Sequence, residues 1–138
     1  MQRLKLQCRY LEEGDIDNVN AWLEGWKKLS LDKGMYPKKG LILYNTEDNQ
    51  PIYAGFLWTS DECKLAQIGF ITRNPYYKIK LPKGLRKDFI AEIGRYAAEL
   101  GYTHIMTRAE NPLLVNDFKA LGYAVTSDRC TELIAKIQ

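Results

Sequence analysis

Residues Asn74 to Tyr102 read Asn-Pro-Tyr-Tyr-Lys-Ile-Lys-Leu-Pro-Lys-Gly-Leu-Arg-Lys-Asp-Phe-Ile-Ala-Glu-Ile-Gly-Arg-Tyr-Ala-Ala-Glu-Leu-Gly-Tyr. The first part is a loop, basic and broken by Pro75, Pro82 and Gly84. In the second part Leu85, Phe89, Ile93, Tyr96, Ala97 and Leu100 recur every three or four residues, which predicts an amphipathic helix. Gly101 suits the left-handed position that closes such a helix. Leu65 to Arg73, just upstream, reads as a strand. A basic loop between a strand and a helix start is a natural anion site. The first backbone N–H groups of the helix have no partner within it, and its dipole favours negative charge.

Downstream, Thr103 to Thr107 reads as a strand. Asn111-Pro112 opens another helix, with Pro112 tolerated in the first turn. That helix runs through Val115, Phe118 and Leu121 to a second Leu-Gly-Tyr at Gly122. Two strands, Tyr123 to Thr126 and Thr131 to Ile137, are expected to complete the chain. Upstream, two strand-like runs precede Leu65: Leu41 to Tyr44, then Ile52 to Thr59, joined by a turn-rich Asn45–Pro51 link. Gly55 marks a bulge or a close approach. At the N-terminus, Leu4, Leu6, Cys8 and Tyr10 alternate with polar residues, as in a half-buried strand. Asp15 or Asp17 can then cap a helix with Val19, Trp22, Leu23, Trp26 and Leu29 on its apolar face. The two tryptophans read first as core anchors. In the sharper reading Trp26, Leu29, Met35 and Tyr36 reach a substrate pocket where the helix ends, near Gly34 and Pro37. The expected order is β-α-β-β-β-α-β-α-β-β, a mixed, mostly antiparallel sheet of α/β or α+β class in a single domain over residues 1–138.

At 138 residues, with 46% hydrophobic and 27% charged content, the chain can bury a real core. No apolar run is long enough to span a bilayer, and the N-terminus lacks the apolar core of a signal peptide, so a cytoplasmic protein is expected. Cys8, Cys63 and Cys130 are far apart and make neither a metal spacing nor a disulfide framework. A net charge of +3 implies no strong nucleic-acid-binding field.

The element order, with a glycine-bearing loop before the central helix, resembles the GCN5-related N-acetyltransferase fold over nearly the whole chain. Arg73-Asn74-Pro75 resembles the end of that family's fourth strand, where the sheet splays and the acetyl-CoA pantetheine arm is bound. Leu81 to Gly101 is similar to the family's pyrophosphate loop and central helix. Asn111 through Gly122-Tyr123 matches its late pattern, an Asn followed by a helix ending Leu-Gly-aromatic. Small divergent members of this fold resemble tailed-phage proteins, virion components included, which suggests a phage origin.

The resemblance implies acetyl-CoA as cosubstrate, direct attack by an amine, and no metal. Ile71, Thr72 and Arg73 would supply a backbone N–H to the thioester carbonyl. Lys83, Gly84, Leu85 and Arg86 would hold the pyrophosphate, with charge from Lys78, Lys80 and Lys87. Asn111 and Phe118 would line the cofactor, and Trp26, Leu29 and Tyr36 the acceptor. Two signature positions depart from the family's loop, Arg/Gln-x-x-Gly-x-Gly/Ala. Leu81 stands at the basic or amide position, and Arg86 at the last small one, where a side chain would intrude on the phosphates. Phe118 stands where many members place a tyrosine as general acid. No general base is assigned; Glu62 and Glu110 are weak candidates, and Tyr76 and Tyr77 could lend a hydroxyl or simply pack. The alternative function is a catalytically degenerate interaction module. Its basic loop would bind an acidic protein or, less favoured, a nucleic-acid backbone, with Tyr76 and Tyr77 at the interface. A homodimer stays open. His104, the single histidine, reads as structural, and no nucleophile elbow or Walker loop is present.

Overall fold

The computed structural model of the chain describes residues 4–129, 131 and 133–137. The polar–apolar alternation at the N-terminus becomes β1 (Leu6–Tyr10), which pairs antiparallel with β2 (Gly40–Asn45). β3 (Gln50–Trp58) and β4 (Leu65–Arg73) extend the antiparallel meander. After α2 (Leu85–Glu99) the chain returns as β5 (His104–Thr107), parallel to β4, so the sheet order is β1-β2-β3-β4-β5. A parallel neighbour needs a crossover, and the amphipathic helix provides it. The mixed, mostly antiparallel α+β class expected from the sequence is therefore the observed one.

Both faces of the sheet are covered, so its inner strands alternate between two cores. Ile42 and Phe56 point to one side with Val19, Trp22 and Leu23 of α1 (Asp15–Gly25). Leu41, Leu43, Leu57 and Ile68 point to the other, against Phe89, Ile90, Ile93 and Ala97 of α2 and Phe118 of α3 (Pro112–Ala120). Phe89, Ile90 and Ile93 are fully buried, each contributing about 1.5–3 kcal/mol of transfer free energy. Gly55 serves as a close-approach site. A Cβ there would run into Ile93 Cδ1 and Ile71 Cδ1, so the missing side chain lets α2 lie close on the sheet.

The structure corrects three expectations. α1 ends at Gly25, before Trp26 and Leu29, because Lys27 takes a left-handed φ of 58° and the Lys28 N–H turns back to the Leu23 carbonyl at 2.8 Å. Only Trp22 is then a buried anchor, while Trp26 is 47% and Leu29 89% exposed. The cap of α1 is not a side chain either. Gly14 holds the N-cap position, and buried Asp15 instead accepts the Glu12 N–H and both Arg9 amines at 2.7 Å. Finally, the last two strands do not form among the described residues. The Tyr123 N–H returns to the Phe118 carbonyl, Gly122 (φ 96°) turns the chain off α3, and Val125, Leu133, Ile134 and Ile137 stay exposed. Apolar alternation makes a strand only where a ladder partner receives it. Cys130 and Glu132, within that stretch, lie outside the described residues.

Candidate functional site

β4 carries the main irregularity of the sheet. Ala54 faces Thr72 and Phe56 faces Gly69, so two steps on β3 span three on β4. The extra residue bulges β4 where Phe70 adopts a φ of 51°. A bulky residue in that region is strained, and such bulges gather beside functional sites. β5 accompanies β4 only from Leu65 to Ile68. Beyond Thr107, whose hydroxyl donates to the Ile68 carbonyl at 2.9 Å, the two strands part. From Gly69 to Arg73, therefore, the edge of β4 away from β3 has no strand beside it among the described residues.

The basic loop begins where that open edge ends, and polar ties hold it. The Asn74 N–H donates to the Ile52 carbonyl, its side-chain amide donates to the Pro51 carbonyl, and its Oδ1 accepts the Tyr76 N–H. Tyr77 is buried, and its hydroxyl accepts from Asn45 Nδ2 at 3.0 Å. It is thus a packing residue. The loop closes at Gly84, the N-cap of α2, with a φ of 78° that glycine adopts freely. The Leu85 and Asp88 N–H groups bond to the Pro82 and Gly84 carbonyls. Those of Arg86 and Lys87 find no acceptor among the described residues. These N–H groups open on a pocket of about 210 Å³ lined by Tyr53, Arg73, Leu81, Gly84, Arg86 and Asp117, among others. Lys87 also lines it, and exposed Lys83 lies on the same loop. A missing side chain at Gly84, two free donors and nearby cations suit a phosphate oxygen.

No protein-family model and no curated protein matches the chain in sequence. Solved structures do match in shape. An acetyltransferase from Trypanosoma brucei superposes with a TM-score of 0.66 over 95% of this chain and 100% of its own, at 14% identity. Glucosamine-6-phosphate N-acetyltransferase from Arabidopsis thaliana gives 0.64 over 95% and 99%, at 11% identity. N-acetylglutamate synthase from Neisseria gonorrhoeae, solved with coenzyme A and N-acetylglutamate, gives 0.69 over 91% of this chain at 19% identity. This chain spans only 30% of that larger protein. The fold is that of the GCN5-related N-acetyltransferases.

Of the residues that this fold resemblance singled out, the structure brings Arg73, Gly84, Leu85 and Arg86 into one pocket. Ile71 and Thr72 lie on the open edge of β4, half-buried and buried respectively. Arg86 does not project across its own free N–H groups. Its Nε donates to Asp117 Oδ2 of α3 at 2.6 Å, with both side chains largely buried. Asn111 caps α3, its Oδ1 accepting the Leu113 N–H at 2.9 Å. Phe118 is buried edge-on against Tyr123, the ring centres 4.9 Å apart.

Of the residues expected to line the acceptor, Trp26 lies against the end of β4, its indole N–H donating to the Arg73 carbonyl at 2.7 Å. Buried Tyr36 donates its hydroxyl to Asn20 Oδ1 at 2.6 Å, and its ring packs on Phe56 and Phe70. Exposed Leu29 is not brought to this cluster by any described contact. Sequence reasoning missed Tyr53, Asp117 and Phe70. Tyr53 lies on β3, stacked on Phe89, and burial raises its hydroxyl pKa, with Arg73 and Arg86 opposing and Asp117 adding. It therefore keeps its proton at neutral pH and remains a donor. No local pattern marks it, because its neighbours in the pocket come from β4, α2 and α3.

Proposed function

We propose that the chain binds acetyl-CoA and transfers its acetyl group to an amine by direct attack. The observation that carries this reading is the single pocket shared by the end of the splayed, bulged β4 and the open N-terminus of α2. Likeness to acetyltransferases of the same fold supports it. Bound acetyl-CoA would supply an acetyl group already activated as a thioester.

The chain's own part is to hold and to polarise. The Arg86 and Lys87 N–H groups, with Lys83 and Lys87, would bind the pyrophosphate. The protonated Tyr53 hydroxyl would add a neutral donor. Backbone of Ile71 to Arg73 on the unpaired β4 edge would aim a donor at the thioester carbonyl. Phe118 has no proton to give, so proximity and carbonyl polarisation carry the acceleration. The test is a thermal melt. Acetyl-CoA at about 100 times its Kd should stabilise the chain by about 2.7 kcal/mol. An unmoved Tm at millimolar acetyl-CoA, in a folded sample, would overturn the reading.

A second reading, an interaction module without catalysis, draws on the Phe118 ring and on the Arg86–Asp117 bridge in the pocket. It expects no acetyl-CoA shift.

A further inference from the structure

Two segments of this chain hold most of its positive charge. Residues 26–39 contain five lysines against one aspartate, and residues 73–87 contain six cations against no acid. They carry +4 and +6, while the whole chain carries +3, so the remaining residues are net negative by seven. The fold brings the start of each segment to the same corner. The Trp26 indole bonds to the Arg73 carbonyl at 2.7 Å. Gly25 packs so tightly on the loop that a Cβ would lie 2.9 Å from Pro75 Cγ and from the Tyr76 hydroxyl. Lys27 and Lys28 follow Trp26 directly, and exposed Lys78 and Lys80 follow Tyr76 and Tyr77. None of these four lysines forms an ion pair with a described carboxylate.

Lys27 adds an independent observation. It occupies the left-handed position that closes α1, at φ 58°, where glycine is the usual residue. A lysine held there against its backbone preference is strain of the sort that accompanies function. Around it the surface exposes Trp26 and Tyr76, 47% and 64% accessible.

We propose that this corner is a docking surface for an acidic polypeptide. A single-stranded nucleic acid fits less well. It needs a row of free aromatic faces, whereas of the corner's three aromatics Tyr77 is buried, and Trp26 and Tyr76, though exposed, are each tied at one polar edge to the opposite segment. Glu24 also borders the corner, directly before Gly25. An evenly charged phosphate chain would meet that carboxylate, whereas a polypeptide with spaced Glu and Asp residues passes it. The proposal stands apart from the acetyl-CoA reading: none of the four lysines lines the pocket at α2, and Lys78 and Lys80 are not brought to it as the family likeness had implied.

The test is fluorescence anisotropy with a labelled peptide of Glu interspersed with Leu and Gly, alongside a labelled oligo-dT. The peptide should bind, and more weakly as salt rises. Lys78→Ala/Lys80→Ala should weaken it about fivefold, the scale of two surface charge contacts. Lys27→Gly should weaken it about threefold while raising Tm, since it removes an amine and relieves the left-handed backbone. Lys119→Ala, on α3, should change nothing. No peptide binding, unchanged binding in the corner variants, or tighter binding of oligo-dT would each overturn the proposal. Acetyl-CoA melts on the same variants report separately on the pocket.

Discussion

Arg86 shows how one residue's meaning depends on a partner far away in the chain. In the sequence it replaces a small residue of a phosphate loop, which predicts either obstruction or a clamp. In the structure its guanidinium neutralises Asp117, a carboxylate that lines the same pocket. Arg86→Ala should therefore expose that negative charge to the phosphates and weaken acetyl-CoA about tenfold, near 1.4 kcal/mol. Adding Asp117→Asn should recover most of the loss. Calorimetric titration of the two variants checks this, and tighter binding by Arg86→Ala would mean that the side chain obstructs after all. Gly84 was legible from its place before an amphipathic run, because only a local backbone demand is involved. Asp117 and Tyr53 were not, since they meet the loop across three elements. Phe70 hides for another reason: its left-handed φ comes from a mismatch between two strands, and its own neighbours in sequence leave no sign of it.

Elements were read best where a pattern ran long. The three-and-four spacing of α2 corresponds to a buried face in the structure, and the alternation of β1 to a half-buried one at Leu6 and Cys8, with Tyr10 exposed. α3 was found through Asn111-Pro112, and the carboxamide of Asn111 does cap it. Asn111→Ala should cost about 1 kcal/mol of stability, whereas Asn111→Asp should cost little; urea denaturation of both would show it. Equal stability of Asn111→Ala and the parent would leave that hydrogen bond without energetic weight. The end of α1 was misread because Trp26 keeps the apolar period one residue past the helix. What stops the helix is the backbone of Lys27, and lysine is not a residue that announces a left-handed turn. The expected strands after Gly122 had suitable residues but no ladder partner among the described ones, and pairing is not a property of one segment.

For the molecule as a whole, the topology followed from the order of elements, because short turns force antiparallel neighbours and the long crossover allows the parallel one. How charge and burial are shared in space was less visible. Cys8 projects from β1 against the core under α2, and burial, aided by Glu92 and opposed by Arg95, pushes its thiol from 9.0 up to about 11. Burial raises Tyr53 and Tyr123 likewise. Such groups stay protonated in the folded chain after the unfolded chain has begun to ionise. Their contribution to stability should thus be fully present below pH 9 and fall as pH rises towards about 11. Cys8→Ala should lose less Tm than the parent between pH 8 and pH 10.5, and melts at the two values measure the difference. Parallel losses would show that the thiol is not the group responsible.

The ties that Asn74 and Tyr77 make to β2 and β3 bear on how fast and how selectively the basic loop can work. An arm already fixed at its root loses little conformational freedom when something binds it, so less of the contact energy goes into ordering. It also cannot reshape itself around a poor match. Rigidity of that kind favours a narrow set of ligands met in one geometry.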